Sequence, residues 1–184
     1  MSQTQGAAID PAVAEELAAY DKGRTIAALR AAADAAALHD GETPADPAAA
    51  QAMARTRLAD WIAILSRFKR DLDPDFNPDD PPATSIVPPG EFGNQYAPGV
   101  NPKDVKDPEM RRQYLIAIEQ NRDKLRRFGA NVKLAEAHTT IRDRAAASIR
   151  DARETLGLDA AEITAALAAG DITQSDREAL LAGP

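Results

Sequence analysis

Apolar side chains recur at helical spacing along three long stretches of the chain. The longest carries Tyr114, Ile118, Asn121, Leu125, Phe128, Val132 and Ala135 in alternating steps of four and three, and the series resumes at Ile141, Ala145, Ile149, Ala152 and Leu156. Side chains so spaced share one face of an α-helix. A single helix over residues 107–157 is therefore expected, about 75 Å long. Asp107 offers a capping carboxylate, Pro108 suits the first helical position, and Glu109 sets negative charge at the positive end of the helix dipole. Arg126, Arg127 and Gly129 together have the composition of a helix C-terminus, so a kink or break at 129 is the alternative. The apolar phase crosses that point from Phe128 to Val132 without a slip, which favours continuity.

The same Asp-Pro start opens two earlier helices, at Asp10-Pro11 and Asp46-Pro47. Val13, Leu17, Tyr20, Ile26, Leu29, Ala33 and Ala36 mark the first, which ends near His39-Asp40-Gly41. The second has the cleanest stripe, Ala54, Leu58, Trp61, Leu65, Phe68 and Leu72, widened by Met53, Ile62 and Ile64, and reads as a bundle core. After the long helix come two short ones. One covers about 159–169 and is closed by Gly170; the other is opened by a capping box at Ser175-x-x-Glu178. Between the second helix and the long one, residues 73–106 hold eight of the chain's 13 prolines. Proline at that density removes amide donors and favours extended and turn conformations. This arm is not a plain linker, because it carries Ile86, Val87, Phe92, Tyr96 and Val100, which need a surface to pack on. The surface could be its own bundle, a neighbouring subunit or a partner. The expected fold class is all-α: an antiparallel long-helix bundle with an extended Pro-rich arm and short C-terminal helices. It divides into a hairpin (1–72), the arm (73–106), the long helix (107–157) and a tail (158–184), within one domain.

Composition narrows this picture. Only 4% of the 184 residues are aromatic, so the core is expected to be thin, with alanine letting helices approach closely. With no cysteine there is no disulfide, thiol nucleophile or thiolate metal site. The net charge of −7 is uneven: residues 1–106 carry 10 basic and 16 acidic side chains, 107–157 carry 11 and 8, and 158–184 carry 1 and 5. An acidic chain argues against nucleic acid as the main partner, and the basic long helix calls for acidic flanks or an acidic partner. No run of about 18 apolar residues exists to span a membrane. The opening MSQTQGAAID lacks the basic and apolar regions of a secretory signal. A soluble protein is expected, either cytoplasmic or the mature form of an exported one.

Candidate chemistry is sparse. Asp71, Asp73, Asp75, Asn77, Asp79 and Asp80 alternate like calcium ligands, but an EF-hand loop from Asp71 would need glycine and glutamate where Phe76 and Pro82 stand. The stretch reads as a solvated acidic spacer. His39 and His138 have no metal-ligand spacing, and His138 reads as a helix-surface residue. Arg111, Arg112, Arg122, Lys124, Arg126 and Arg127 are interleaved with Glu109, Glu119 and Asp123, which suggests a salt-bridged solvated face. No nucleophile elbow or phosphate loop is present. Asn121 interrupts the apolar seam; a buried amide there is expected to bond across to another helix or to the arm's backbone and to fix register.

Asp107-Pro108-x-x-Arg111-x-x-Tyr114-x-x-Ala117-Ile118-x-x-Asn121-x-x-Lys124 resembles a pattern in uncharacterised, all-helical bacterial proteins, some of them exported. The resemblance covers about a tenth of the chain and implies a helical protein without a known activity. The reading that follows is a non-enzymatic helical interaction or assembly protein. Its contact surfaces are expected at Ile86, Val87, Phe92, Tyr96, Tyr114, Asn121, Leu125 and Phe128, and its partner is another protein or a second copy. A structural subunit of a virion or filament is the alternative, and an enzyme the least favoured class. No catalytic, cofactor-binding or metal-ligating residue is expected.

Overall fold

The structure, a computed structural model, describes residues 11–90 and 95–182, with the backbone alone at 11–21, 166 and 167. It is all-helical, with no strand among the described residues. Three long helices, α1 (Pro11–Ala36), α2 (Pro47–Asp71) and α3 (Pro108–Thr155), are followed by the short α4 (Ala160–Ala168) and α5 (Gln174–Leu181). Brief 3₁₀ turns lie at Ala37–His39 and Pro102–Asp104. The chain forms two compact units. Asp75–Val132 and α1 up to Asp21 belong to the first; Lys22–Pro74 and the chain from Lys133 onward belong to the second. The hairpin and the long helix drawn from the sequence thus each contribute to both units. α3 runs 48 residues without interruption at Gly129, so the alternative of a break there is not realised.

The helix starts follow from local chemistry. Asp46 Oδ1 accepts from Ala48 N at 3.0 Å, with Pro47 in the first turn. Asp107 Oδ1 accepts from Met110 N at 2.7 Å ahead of α3. Each carboxylate satisfies an amide that the helix itself leaves without a partner. Asp10, the expected cap of α1, lies outside the described residues, as do the side chains of Val13, Leu17 and Tyr20. α3 ends where Gly157 takes φ +71° and Leu158 N reaches back to Ala152 O at 3.3 Å. A left-handed glycine followed by a buried apolar residue is a common helix stop.

The capping box of α5 is not at Ser175 and Glu178. Thr173 Oγ1 accepts from Asp176 N at 3.1 Å, and Asp176 Oδ2 accepts in return from Thr173 N at 3.0 Å. Thr173 has the extended backbone a cap needs, whereas Ser175 already lies inside the helix, with its hydroxyl taken by Arg142.

In the second unit α3 lies against α1, α2 and α5. Arg57 meets Asp151 and Phe68 meets His138, so α2 runs opposite to α3 there. Trp61, Leu65 and Phe68 of α2 are buried with Leu134, Ala137, Ile141, Ala145, Ile149 and Ala152 of α3. The three alanines sit at fully covered positions, where a small side chain lets helices close up. Ala135 is only half-buried. The six-residue step from Ala135 to Ile141 does not fit the helical repeat, and Leu134 and Ala137 supply the covered positions in phase with Ile141. Leu158, Ile163, Ile172 and Leu180 close the core from the tail.

Candidate protein-interaction groove

In the first unit the arm is laid along the beginning of α3 and tied to it at successive points. Rings of Phe76 and Phe128 lie 5.4 Å apart, tilted by 52°. Asn121 Nδ2 donates to Ala83 O at 2.6 Å. Tyr114 Oη lies 2.8 Å from Val100 O and 3.1 Å from Ile86 O. Its single proton is directed best to Val100, while Ile86 O also accepts from Gly99 N. Arg111 sends two donors, Nε and Nη2, to Val105 O at 2.9 and 2.6 Å. The ties pair arm residues of rising number with α3 residues of falling number, so the arm approaches α3 as a strap running back along it.

A small core holds the strap down. Val105, Met110 and Tyr114 are buried, with Ile86, Tyr96, Val100 and Ile118 packed around them. This explains how a segment without regular structure keeps its place: proline has removed some of its amides, and tyrosine, asparagine and arginine side chains take up several of the remaining carbonyls.

Beside the strap runs an open groove of about 520 Å³. Ser85, Ile86, Val87 and Pro98 of the arm form one wall; Ala117, Gln120, Asn121 and Lys124 of α3 form the other. Residues 117, 120, 121 and 124 share one helix face by their three- and four-residue spacing. Ala117 leaves the room, and the amides of Gln120 and Asn121 line it.

The residues expected to contact a partner fall into three groups. Tyr114, Ile86, Tyr96 and Phe128 serve the strap's own attachment, and Leu125 is half-buried. Val87, 41% exposed, and Asn121 form part of the groove. Phe92 lies outside the described residues. The sequence reading passed over Ser85, Pro98, Ala117 and Gln120, whose role depends on where the strap lies. It also passed over Leu115 and Ile116, each 49% exposed on α3.

Charges on this part of α3 are largely matched within the chain. Arg122 pairs with Glu119 at 2.9 Å, Arg126 with Asp123 at 3.5 Å and Arg112 with Glu109 at 4.0 Å, and Arg111 holds Val105 O. Lys124, exposed at the groove, has no ion pair or hydrogen bond among the described residues.

The second unit holds the other polar clusters. Asp71, the last residue of α2, pairs with Arg67 at 3.2 Å and Asp73 with Lys22 at 2.7 Å, so two residues of the acidic stretch are engaged by cations. Among the described residues no group of three or more potential ligands could hold a metal ion. His138 is not a simple surface residue. Its ring packs 5.1 Å from that of Phe68, and Nε2 lies 2.9 Å from Oδ1 of the fully buried Asp176. Sequence reasoning missed this because the partner carboxylate is remote in the chain and reaches α3 only when α5 docks. Burial works to raise the pKa of Asp176, but the adjacent His138 side chain and hydrogen bonds from the Thr173 hydroxyl and the Thr173 amide outweigh it and hold the carboxyl below its ordinary value.

No helix among the described residues is long and apolar enough to cross a membrane. Comparison with protein-family models, curated proteins and solved structures gave no match.

Proposed function

We propose that this chain is a non-catalytic interaction protein that takes a peptide segment of a partner protein into the groove between strap and α3. The segment is apolar and carries a carboxylate. The observation that carries this reading is the combination of Val87 and Lys124 at one groove. An exposed apolar side chain stands there with a cation that has no partner among the described residues, on a helix where Arg122 and Arg126 are paired. An open groove walled by extended chain suits a passing peptide better than an enclosed small molecule. The ties at Asn121, Tyr114 and Arg111 hold the groove's walls before anything binds, which reduces the ordering that binding must overcome.

The energetics set the kind of binding. One apolar side chain buried in the groove contributes about 1.5–3 kcal/mol. A carboxylate at the exposed Lys124 adds less than about 1 kcal/mol. Such contact is weak per site, and the charge serves selectivity more than affinity. Selection of random displayed peptides on the full chain tests the reading, with Ala117→Arg, which fills the groove, as the comparison. The expected result is a set of sequences that place an apolar residue beside Asp or Glu and lose about tenfold or more in affinity for the variant. Sequences that bind both proteins equally, or no enrichment at all, would overturn it. Circular dichroism verifies that the variant keeps its helix.

A further inference from the structure

The tail carries a feature that the groove does not use: a charged side chain sealed inside the second unit. Asp176 has no exposed surface, yet it sits on α5, a helix of only 8 residues. A helix that short does not hold itself together in water and depends on its docking surface. We propose that α5 is a releasable cap on the second unit, fastened by the pairing of the buried Asp176 with the partly exposed His138, and that it detaches when the carboxylate is neutralised.

The geometry gives the two carboxylate oxygens different duties. Oδ2 accepts from Thr173 N at 3.0 Å and from Thr173 Oγ1 at 2.6 Å, both part of α5's own cap. Oδ1 faces His138 Nε2 at 2.9 Å and has no well-aligned hydrogen bond. Attraction at that oxygen therefore depends on charge more than on hydrogen-bond direction. The other charged groups around the pair come from each packed element. On α3, Arg142 Nη1 meets Ser175 Oγ at 3.0 Å and Arg153 Nη1 meets Leu181 O at 3.2 Å. From α2, Lys69 Nζ holds Gly170 O ahead of α5, beside the uncharged ring of Phe68 on His138. On α5 itself, Arg177 adjoins Asp176. Arg142, Arg153 and Lys69 are bonded to tail oxygens other than those of Asp176, so the ion-pair contact of its carboxylate is His138.

Asp176 titrates below its ordinary value of 3.8 in the folded chain. A lowered carboxyl pKa stabilises the docked state above the unfolded value and ceases to do so as pH falls through the folded one. Release is therefore expected on acidification below about pH 4. It uncovers the part of the apolar core that Leu180 closes.

Hydrogen exchange read as protection factors on the full chain tests this. Wild-type α5 amides are expected to be protected at pH 6 and to lose about tenfold or more of that protection as pH falls below 4, while α3 amides over 141–152 stay protected. His138→Gln, which leaves the Thr173 cap intact, and Asp176→Asn are each expected to expose α5 at pH 6 by a similar factor and to flatten its pH dependence. Wild-type protection of α5 in His138→Gln, or loss of protection by α5 and α3 together in every case, would overturn the proposal.

Discussion

Two ion pairs that start from different faces of one turn of α2 offer a direct measure of what burial does to a salt bridge in this fold. Arg57 Nη1 lies 2.7 Å from Asp151 Oδ2, with the arginine side chain 3% exposed. It also faces Asp40 Oδ1 at 3.7 Å and donates to His39 O, so it joins α2, α3 and the turn after α1. Arg55 Nε lies 3.0 Å from Glu162 Oε1, with the arginine side chain 66% exposed. A hydrogen bond to a charged group contributes about 1.5–3 kcal/mol when shielded, and an exposed pair about 0.2–1 kcal/mol. Asp151 keeps about a third of its surface in water, which places the buried pair near the lower end of its range. Double-mutant cycles to alanine should then give a coupling of about 1.5–2 kcal/mol for Arg57–Asp151 and under about 0.5 kcal/mol for Arg55–Glu162. Each single change at the buried pair should cost about 2–4 kcal/mol, because a charged group loses its main partner. Urea unfolding followed by fluorescence suits the measurement, since the chain's one tryptophan, Trp61, is fully buried in the second unit. Equal couplings for the two pairs, or a larger one at Arg55–Glu162, would refute the reasoning.

The strap gives two further tests. Tyr114→Phe removes the hydroxyl donor from Val100 O and should destabilise the first unit by about 1 kcal/mol, seen as faster thermolysin cleavage between Pro82 and Pro102. Asn121→Leu should leave α3 intact but speed hydrogen exchange in the strap near Ala83, since its amide is the tie at that point; unchanged exchange there would mean that the tie is not what holds the strap.

What could be read from the sequence was what is decided locally. The Asp-Pro starts of α2 and α3 were legible because cap, proline and dipole act within one turn. The stripe from Ala54 to Phe68 was legible because a single face of α2 is covered. Asn121 was legible as a polar interruption, and its amide does bond to a strap carbonyl, but it is half-buried at the groove rather than buried as expected. Elsewhere several local patterns were compatible and tertiary contact chose between them. Thr173-x-x-Asp176 and Ser175-x-x-Glu178 both fit a capping box, and the docking of Asp176 on His138 and of Ser175 on Arg142 goes with the earlier one. Arg57 carries no sequence mark of burial; it is covered because Asp40 and Asp151 arrive from distant parts of the chain. The groove was illegible for the same reason, since its two walls become neighbours only once the strap lies on α3.

The proposed binding requires that the groove select a carboxylate through Lys124. Its most direct test repeats the peptide selection on Lys124→Glu, with helix content checked by circular dichroism. Apolar anchors should persist while Asp and Glu beside them give way to Lys and Arg, because only the sign of the charge at the groove has changed. Selected peptides that keep their acidic residues on the reversed charge would contradict it.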